Sequence, residues 1–385
     1  MFNKRIQFNR HEIAGSFGDI GTDLPLIVGM IQAVSLDSAS VFIMFGLMQI
    51  ITGFVYGLPM PMQPLKAMAV LVITQKVSGE ILWGAGIAIG AIMLLLTLSG
   101  TLNWLARLIP LCVVRGIQFG LGLSLASLAL KTYIPAENIS GYILAALGFL
   151  ILIMIPKNSP IPGGLVVIGL GILYAVSFKL NLGAIVSGIS LGLPQFHYPT
   201  RENIFTGFFI LALPQLPLSI SNSVIATEQT IKDLFGDRGI SIRRIGLTYS
   251  LANLIVPFFS GIPVCHGCGG LAGHYTLGAR TGGSVILYGS MYVVIGLFFS
   301  QVFAQIVQVF PQPILGIVLL FEALTLLLFV RDQAGSKQNL TISLLVGMIA
   351  FSVPQGYIVG LIIGTGLYYL SIPMRLLRDE QVREH

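Results

Sequence analysis

The stretch GIPVCHGCGGLAGHY (261–275) brings Cys265, His266, Cys268 and His274 within ten positions. Thiols at C-x-x-C spacing with imidazoles beside them are the side chains of a zinc knuckle or a redox pair. A closed zinc site needs about four ligands, usually with a second Cys/His pair elsewhere. Outside this stretch the chain offers only Cys112 and three other histidines. Packing or pore lining is the competing reading, and no metal or cofactor is expected. A second chemistry is carried by acids. Asp19 and Asp23 in GSFGDIGTDLPL are four apart, so on a helix they share a face. Two carboxylates are poor ligands for an anion and suitable ones for H⁺ or Na⁺. Gly15, Gly18 and Gly21 allow another helix to come close. Alternatively, Thr22 or Asp23 caps a helix restarting at Pro25.

Lys66, in GLPMPMQPLKAMAV (57–70), is costly inside a bilayer unless it has a purpose. It either attracts an anion or snorkels and pairs with an acid. In LPLSISNSVIATEQT, Ser219, Ser221, Asn222 and Ser223 form a polar stripe. Hydroxyls and an amide can hold an oxyanion without charge, or they make ordinary interhelical hydrogen bonds. Glu322 has no local partner, and Arg115 is its nearest counterpart in kind. A structural ion pair and a proton relay are both open to it. Tyr275, Thr276 and Gln118 are secondary candidates.

The elements that hold these groups are membrane helices. Of 385 residues 55% are hydrophobic and 9% charged, against about 25% charged in a soluble domain. Three cysteines are too few for a disulfide framework. The polar start, MFNKRIQFNRHE, is unlike the apolar core of a signal peptide. Apolar stretches at about 12–33, 38–57, 63–76, 80–99, 108–130, 141–156, 162–179, 203–226, 243–260, 267–280, 283–300, 313–330, 339–353 and 356–373 predict 14 spans of an all-α polytopic membrane protein. Most approach the roughly 20 residues that a bilayer requires. The third and tenth are short, and each follows a Gly/Pro interruption.

An internal repeat accounts for that pair. Residues 57–70 align with 261–274, Gly57-Leu58-Pro59 on Gly261-Ile262-Pro263, at an offset of 204. DLPLI (23–27) aligns with QLPLS (215–219) at an offset of 192. IPLCVVRGIQ (109–118) aligns with FPQPILGIVL (310–319). The common order predicts two seven-span repeats, 1–200 and 201–385. Seven is odd, so the second must be inverted. Inverted repeats with interrupted helices are the mark of secondary transporters, with substrate held near the midplane. With the N-terminus inside, basic residues collect on the cytoplasmic side, in both tails and at Arg107, Lys157, Lys232, Arg238, Arg243, Arg244, Arg280, Arg331 and Lys337. Lys76, Lys131, Lys179 and Arg201 fall outside. That asymmetry follows the positive-inside rule and accounts for the net charge of +6 without nucleic acid.

Spans 3 and 10 then read as half-helices preceded by short extended segments. Pro64 suits the first position of one, and Gly269 lies near the start of the other. Each opening turn presents unpaired N–H groups and about half a positive charge. Two such turns approaching each other make an anion site, and Lys66 lies in the first.

FGDIGTDLPL, PMQPLKAMAV, LPQLPLSISNSVIAT and PVCHGCGGLAGHYTLGARTGG resemble the motifs of the molybdate transporter family, a branch of the sulfate permease superfamily. The resemblance spans roughly residues 12–330. It implies a seven-plus-seven inverted repeat with core and gate domains and an oxyanion bound between half-helices 3 and 10. By position, Gln63, Lys66 and the backbone at Gly269 and Gly270 would take that role. Sulfate permeases usually carry a C-terminal regulatory domain; none is expected here.

The expected function is secondary transport of a tetrahedral oxyanion, molybdate before sulfate. Substrate contacts are expected at Gln63, Lys66, Ser221, Asn222, Gly269, Gly270 and His274, and coupling to H⁺ or Na⁺ at Asp19, Asp23 and Glu322. The expected setting is the plasma or inner membrane, both termini cytoplasmic, with a homodimer as a further possibility and no nucleic-acid partner. Two alternatives remain. One is a nucleobase permease of the same fold, which would place glutamates on spans 8 and 10. The other is a membrane metalloenzyme or thiol protein using Cys265 and Cys268. No P-loop sequence is present for direct ATP drive.

Overall fold

The computed structural model describes residues 6–370, apart from 103, 105–107, 157–162, 179–188 and 237–239. Parts of the charge pattern, including Lys4, Arg5, Arg107, Lys157, Lys179, Arg238 and the basic residues after 370, lie outside the described residues.

Caps and prolines set the first elements. Asn9 accepts hydrogen bonds from the N–H groups of His11 and Glu12 and starts α1 (Arg10–Gly15). The chain breaks at Ser16–Asp19 and resumes as α2 (Ile20–Val34). The alternative of a helix restarting at Pro25 is not what forms, because Pro25 lies inside α2 and neither Thr22 nor Asp23 is its cap. Within the break, Gly18 lies so close to the backbone of Gly273 and His274 that a Cβ would overlap it. Asp37 accepts from Ser40 N at 2.7 Å and caps α3 (Ser38–Tyr56). That helix ends at Gly57, at φ 62°.

Pro59, Pro61 and Pro64 follow, and each lacks the N–H a helix would use. The chain there is extended, as β1 (Met62–Pro64), before α4 (Lys66–Gln75). Next come α5 (Gly79–Leu98), α6 (Leu111–Leu128), α7 (Asn138–Met154) and α8 (Gly163–Phe178). One long helical run, 201–235, contains α9 (Arg201–Gly207), α10 (Leu213–Leu218) and α11 (Thr227–Phe235), joined by π segments at Phe208–Ala212 and Ser219–Ala226. Then follow α12 (Ile242–Ile255), β2 (Val264–His266), α13 (Cys268–Thr276), α14 (Gly283–Phe298), α15 (Ser300–Val309), α16 (Gln312–Leu328), α17 (Lys337–Ser352) and α18 (Gly356–Tyr369).

Among the described residues, five helical stretches are long and apolar enough to cross a bilayer: Ser38–Tyr56, Gly79–Leu98, Leu111–Met154, Arg201–Phe235 and Gln312–Gln333. Shorter apolar helices, including α2, α4, α14 and α18, stand among them.

β1 and β2 pair antiparallel, with Met62 opposite His266, Gln63 opposite Cys265 and Pro64 opposite Val264. Met62 and His266 are also equivalent at the 204-residue offset, so a pseudo-twofold axis passes between them. The packing obeys the same exchange. α3 lies along α14, and its counterpart α12 lies along α5, the counterpart of α14. Each repeat thus packs on the other. The α3–α14 seam is aromatic: Phe45 and Tyr292 meet edge to face at 5.0 Å between centroids, a favoured geometry for buried rings. A second bundle is formed by α6, α7, α8, α16, α17 and α18. It meets the first where α4 touches α6, and where α2 touches α8 and α16.

Candidate functional site

Backbone polar groups within a bilayer must be satisfied by the protein, and two carboxamides do this for the strand pair. Gln49 Oε1 accepts from Met62 N at 2.9 Å, while its Nε2 donates to Met62 O. Asn253 Oδ1 accepts from Val264 N at 2.9 Å, while its Nδ2 donates to Val264 O at 2.6 Å. Gln49 and Asn253 are themselves 204 positions apart. Sequence reasoning passed over both, although the offset pairs them.

The two helix N-termini behind the strands are not alike. Leu65 N donates to Pro263 O at 3.1 Å, which holds the chain extended through Pro64. α4 therefore starts at Lys66, not at Pro64 as expected. Its opening donors are also not free. Gln215 Oε1 accepts from Ala67 N at 2.9 Å and from Met68 N at 3.4 Å. Gln215 is the counterpart of Asp23 in the DLPLI/QLPLS alignment, which was the available signal. The start of α13 is the open one. Gly269 is exposed, Ala272 and Gly273 are half-buried and Thr276 is exposed, so an accessible stripe runs the length of this helix. The Ser219–Ala226 segment packs beside it, with Ser221 and Asn222 half-buried. Ser221 Oγ donates back to Pro217 O at 2.8 Å, leaving the oxygen's lone pairs to accept.

Lys66 opens α4, and its charge is felt at Cys268 in the first turn of α13. Its Nζ lies 2.8 Å from Glu322 Oε1, with the two side chains 29% and 8% accessible. The partner anticipated for Glu322, Arg115, is engaged elsewhere: its Nε donates to Asp332 Oδ2 at 2.7 Å and its Nη1 to Gln118 Oε1 at 3.0 Å. Asp19 and Asp23 are buried side by side. Gln63 Nε2 donates to both Asp19 oxygens, at 2.8 and 2.7 Å, and Thr22 Oγ1 donates to Oδ1 at 2.8 Å. Asp23 accepts from the Tyr288 hydroxyl at 3.2 Å. The Asp19 carboxylate lies where a Cβ on Gly270 would point, so only glycine fits there. Gln63 thus spends its amide protons on Asp19 and faces Gly267 with its oxygen.

Asp19, Asp23, Gln63, Lys66, Gly270 and Glu322 are therefore brought together, with Gly269, Ser221 and Asn222 beside them. His274 is placed differently. It is fully buried on another face of α13, with Nδ1 3.3 Å from Ser284 Oγ and the ring edge-on to Tyr288. His266 faces Thr248 Oγ1 at 2.7 Å. Cys265 is buried against Ser223, Cys268 is half-buried, and both are free thiols. Among the described residues, no group of three or more His, Cys, Asp or Glu is arranged to hold a metal.

The interrupted helices, the paired strands and the lysine at the first position of α4 are features to set beside known proteins. A family model described as "Molybdate transporter of MFS superfamily" matches residues 11–125 and 207–326. "Molybdate transporter 2" of Arabidopsis thaliana is 31% identical, covering 95% of this chain and 88% of that protein. The chain belongs to the molybdate transporter family. "Molybdate transporter 1" of the same plant is also 31% identical, over 93% of this chain and 87% of that protein. Among solved structures, the transmembrane domain of the cyanobacterial bicarbonate transporter BicA superposes with a TM-score of 0.67 at 16% identity, covering 93% of this chain and 98% of that one. Murine Slc26a9 in the inward-facing state superposes with a TM-score of 0.71 at 16% identity, covering 96% and 69%. The fold of this family member is therefore the all-α inverted-repeat fold of those anion transporters. It is a multi-pass membrane transporter of anions and not an enzyme. Membership of this family removes the support for the metalloenzyme and nucleobase readings.

Proposed function

We propose that this protein is a secondary active transporter of a tetrahedral oxyanion, with molybdate preferred and sulfate next. The observation that carries this is the closeness of the Lys66 charge to the accessible first turn of α13, which lies against Asp19 and Gln63 beside the paired strands. A helix N-terminus with free N–H groups and an adjacent ammonium is a site for a compact, multiply charged oxyanion. The names of the relatives point to molybdate. In this reading Lys66 and the N–H groups at Gly269 and Gly270 bind the anion, with Ser221 and Asn222 lining its path. Gln63 and His274 fix the shape of the site from behind.

The finer architecture belongs to the same proposal. Fourteen spans form two repeats, 1–200 and 201–385, with both termini cytoplasmic. The strand-bearing bundle is the core, and the bundle of α6–α8 and α16–α18 is the gate. Movement of one against the other alternates access. A dianion entering a negative cell climbs about 2.3 kcal/mol per charge per 100 mV, or roughly 4.6 kcal/mol. Accumulation therefore needs at least two co-transported cations. Asp19 and Asp23, buried next to the site, are the carriers we assign, with Glu322 as the third acid. Two carboxylates buried side by side are suited to share H⁺.

Uptake of labelled molybdate into proteoliposomes, in competition with sulfate and under imposed pH or Na⁺ gradients, tests this directly. Gradient-driven accumulation that excess molybdate suppresses is the expected result. Uptake indifferent to both oxyanions would end the proposal.

A further inference from the structure

The ion pair between Lys66 and Glu322 joins the two bundles. Lys66 opens α4, in the bundle that carries the strands, and Glu322 lies midway along α16, in the other. Their 2.8 Å contact is a charge-assisted hydrogen bond, the strong kind. The other charged neighbours are committed elsewhere. Asp19 is held by Thr22 and Gln63, Asp23 by Tyr288, and Arg115 by Asp332 and Gln118. Lys66 is also the more accessible partner, at 29% of its side chain against 8% for Glu322. An arriving ligand therefore meets the lysine side chain before it meets Glu322.

A carboxylate on a lysine is one oxyanion in the place of another. Both offer oxygen lone pairs and negative charge to the same three donors of the ammonium. The tetrahedral dianion carries twice the charge and more oxygens, so it can take Lys66 and the α13 N–H groups together. Among the described residues, the hydrogen-bond partner of Glu322 is the lysine.

We propose that Glu322 is an internal counter-anion. It occupies Lys66 when the site is empty, the oxyanion displaces it, and the displacement unlatches α16 from α4. This rests on the oxyanion reading above and adds to it a link between occupancy and movement. The bundles are tied while Lys66 is neutralised from within, and freed when substrate does the neutralising. Substrate affinity is lowered by the fraction of sites that Glu322 holds closed.

The test is equilibrium binding of molybdate, with sulfate as a second arm, to the purified full chain and to Glu322→Gln. The amide cannot compete for the charge, so about tenfold tighter binding is expected, corresponding to a site held by Glu322 about nine-tenths of the time. Unchanged or weaker binding by a folded variant overturns the latch. Wild-type protein gives a second readout that needs no variant. Glu322 is labelled with a water-soluble carbodiimide and an amine, with and without saturating molybdate, and read by mass spectrometry. Severalfold faster labelling with molybdate is expected, and equal or slower labelling overturns the latch. If neither oxyanion binds the wild type, the oxyanion reading fails and takes the latch with it. If molybdate binds and neither readout moves, the oxyanion reading stands and the latch alone is removed.

Discussion

Replacing Lys66 by glutamine separates two effects that one salt bridge combines. Glu322, with its side chain 8% accessible, loses its counter-charge. Removing one partner of a buried ion pair costs about 3–5 kcal/mol, because the charge left behind is uncompensated. The Lys66 side chain is 29% accessible. Water can therefore enter the vacated space, and the lower end of that range is expected. Binding suffers separately. A hydrogen bond to a charged group contributes about 1.5–3 kcal/mol, so molybdate affinity should fall roughly 10- to 150-fold. The double variant Lys66→Gln/Glu322→Gln removes both charges. Its stability should recover while its affinity stays low. Thermal unfolding in detergent and equilibrium molybdate binding, measured on all three proteins, distinguish the two effects. Parental affinity in Lys66→Gln would refute the placement of the lysine in the site. Recovery of affinity in the double variant would show that the loss was structural.

Asp23→Asn, and to a smaller degree Asp19→Asn, should abolish gradient-driven accumulation while sparing equilibrium binding; normal accumulation by both would make the pair structural. Replacing Cys265 and Cys268 by serine should leave appreciable uptake and no metal lost from the protein. Stoichiometric zinc in the parent that disappears with activity would contradict this. Gln49→Leu strips Met62 of both backbone partners, at about 1–3 kcal/mol for each unsatisfied group, so a marked fall in melting temperature is expected, and Asn253→Leu should behave alike.

What was legible in the sequence is what local chemistry writes. Prolines at 59, 61 and 64 announced the extended segment, and the 204-residue offset announced its twin. Lys66 stood out because charge inside a membrane stretch is expensive. Its partner did not, since Glu322 is 256 positions away and only the packing of α16 brings it near. The break before α2 was not legible, since the contact made there, Gly18 on the 273–274 backbone, is also remote in sequence. Gln215 was hidden differently. It aligned with Asp23, yet nothing local says that an amide will fill a helix N-terminus one repeat away. The C-x-x-C spacing was the opposite case: a strong local pattern in which the fold sets Cys265 against Ser223 and His266 against Thr248.

Glu12 has a consequence for how this chain is made. Its buried carboxylate accepts from the backbone N–H groups of Arg280, Thr281 and Ser284, some 270 positions later. At about 5–20 residues per second, the ribosome delivers those donors roughly 15–55 s after Glu12 itself has emerged. β1 likewise waits for β2, and α3 for α14. The first half of the polypeptide thus enters the bilayer with an unmatched acid, an unpaired strand and an uncovered helix face. Biogenesis must therefore shelter a half-finished bundle until the second half arrives. Truncated chains that end before α14 should be substrates for membrane quality control rather than partial transporters.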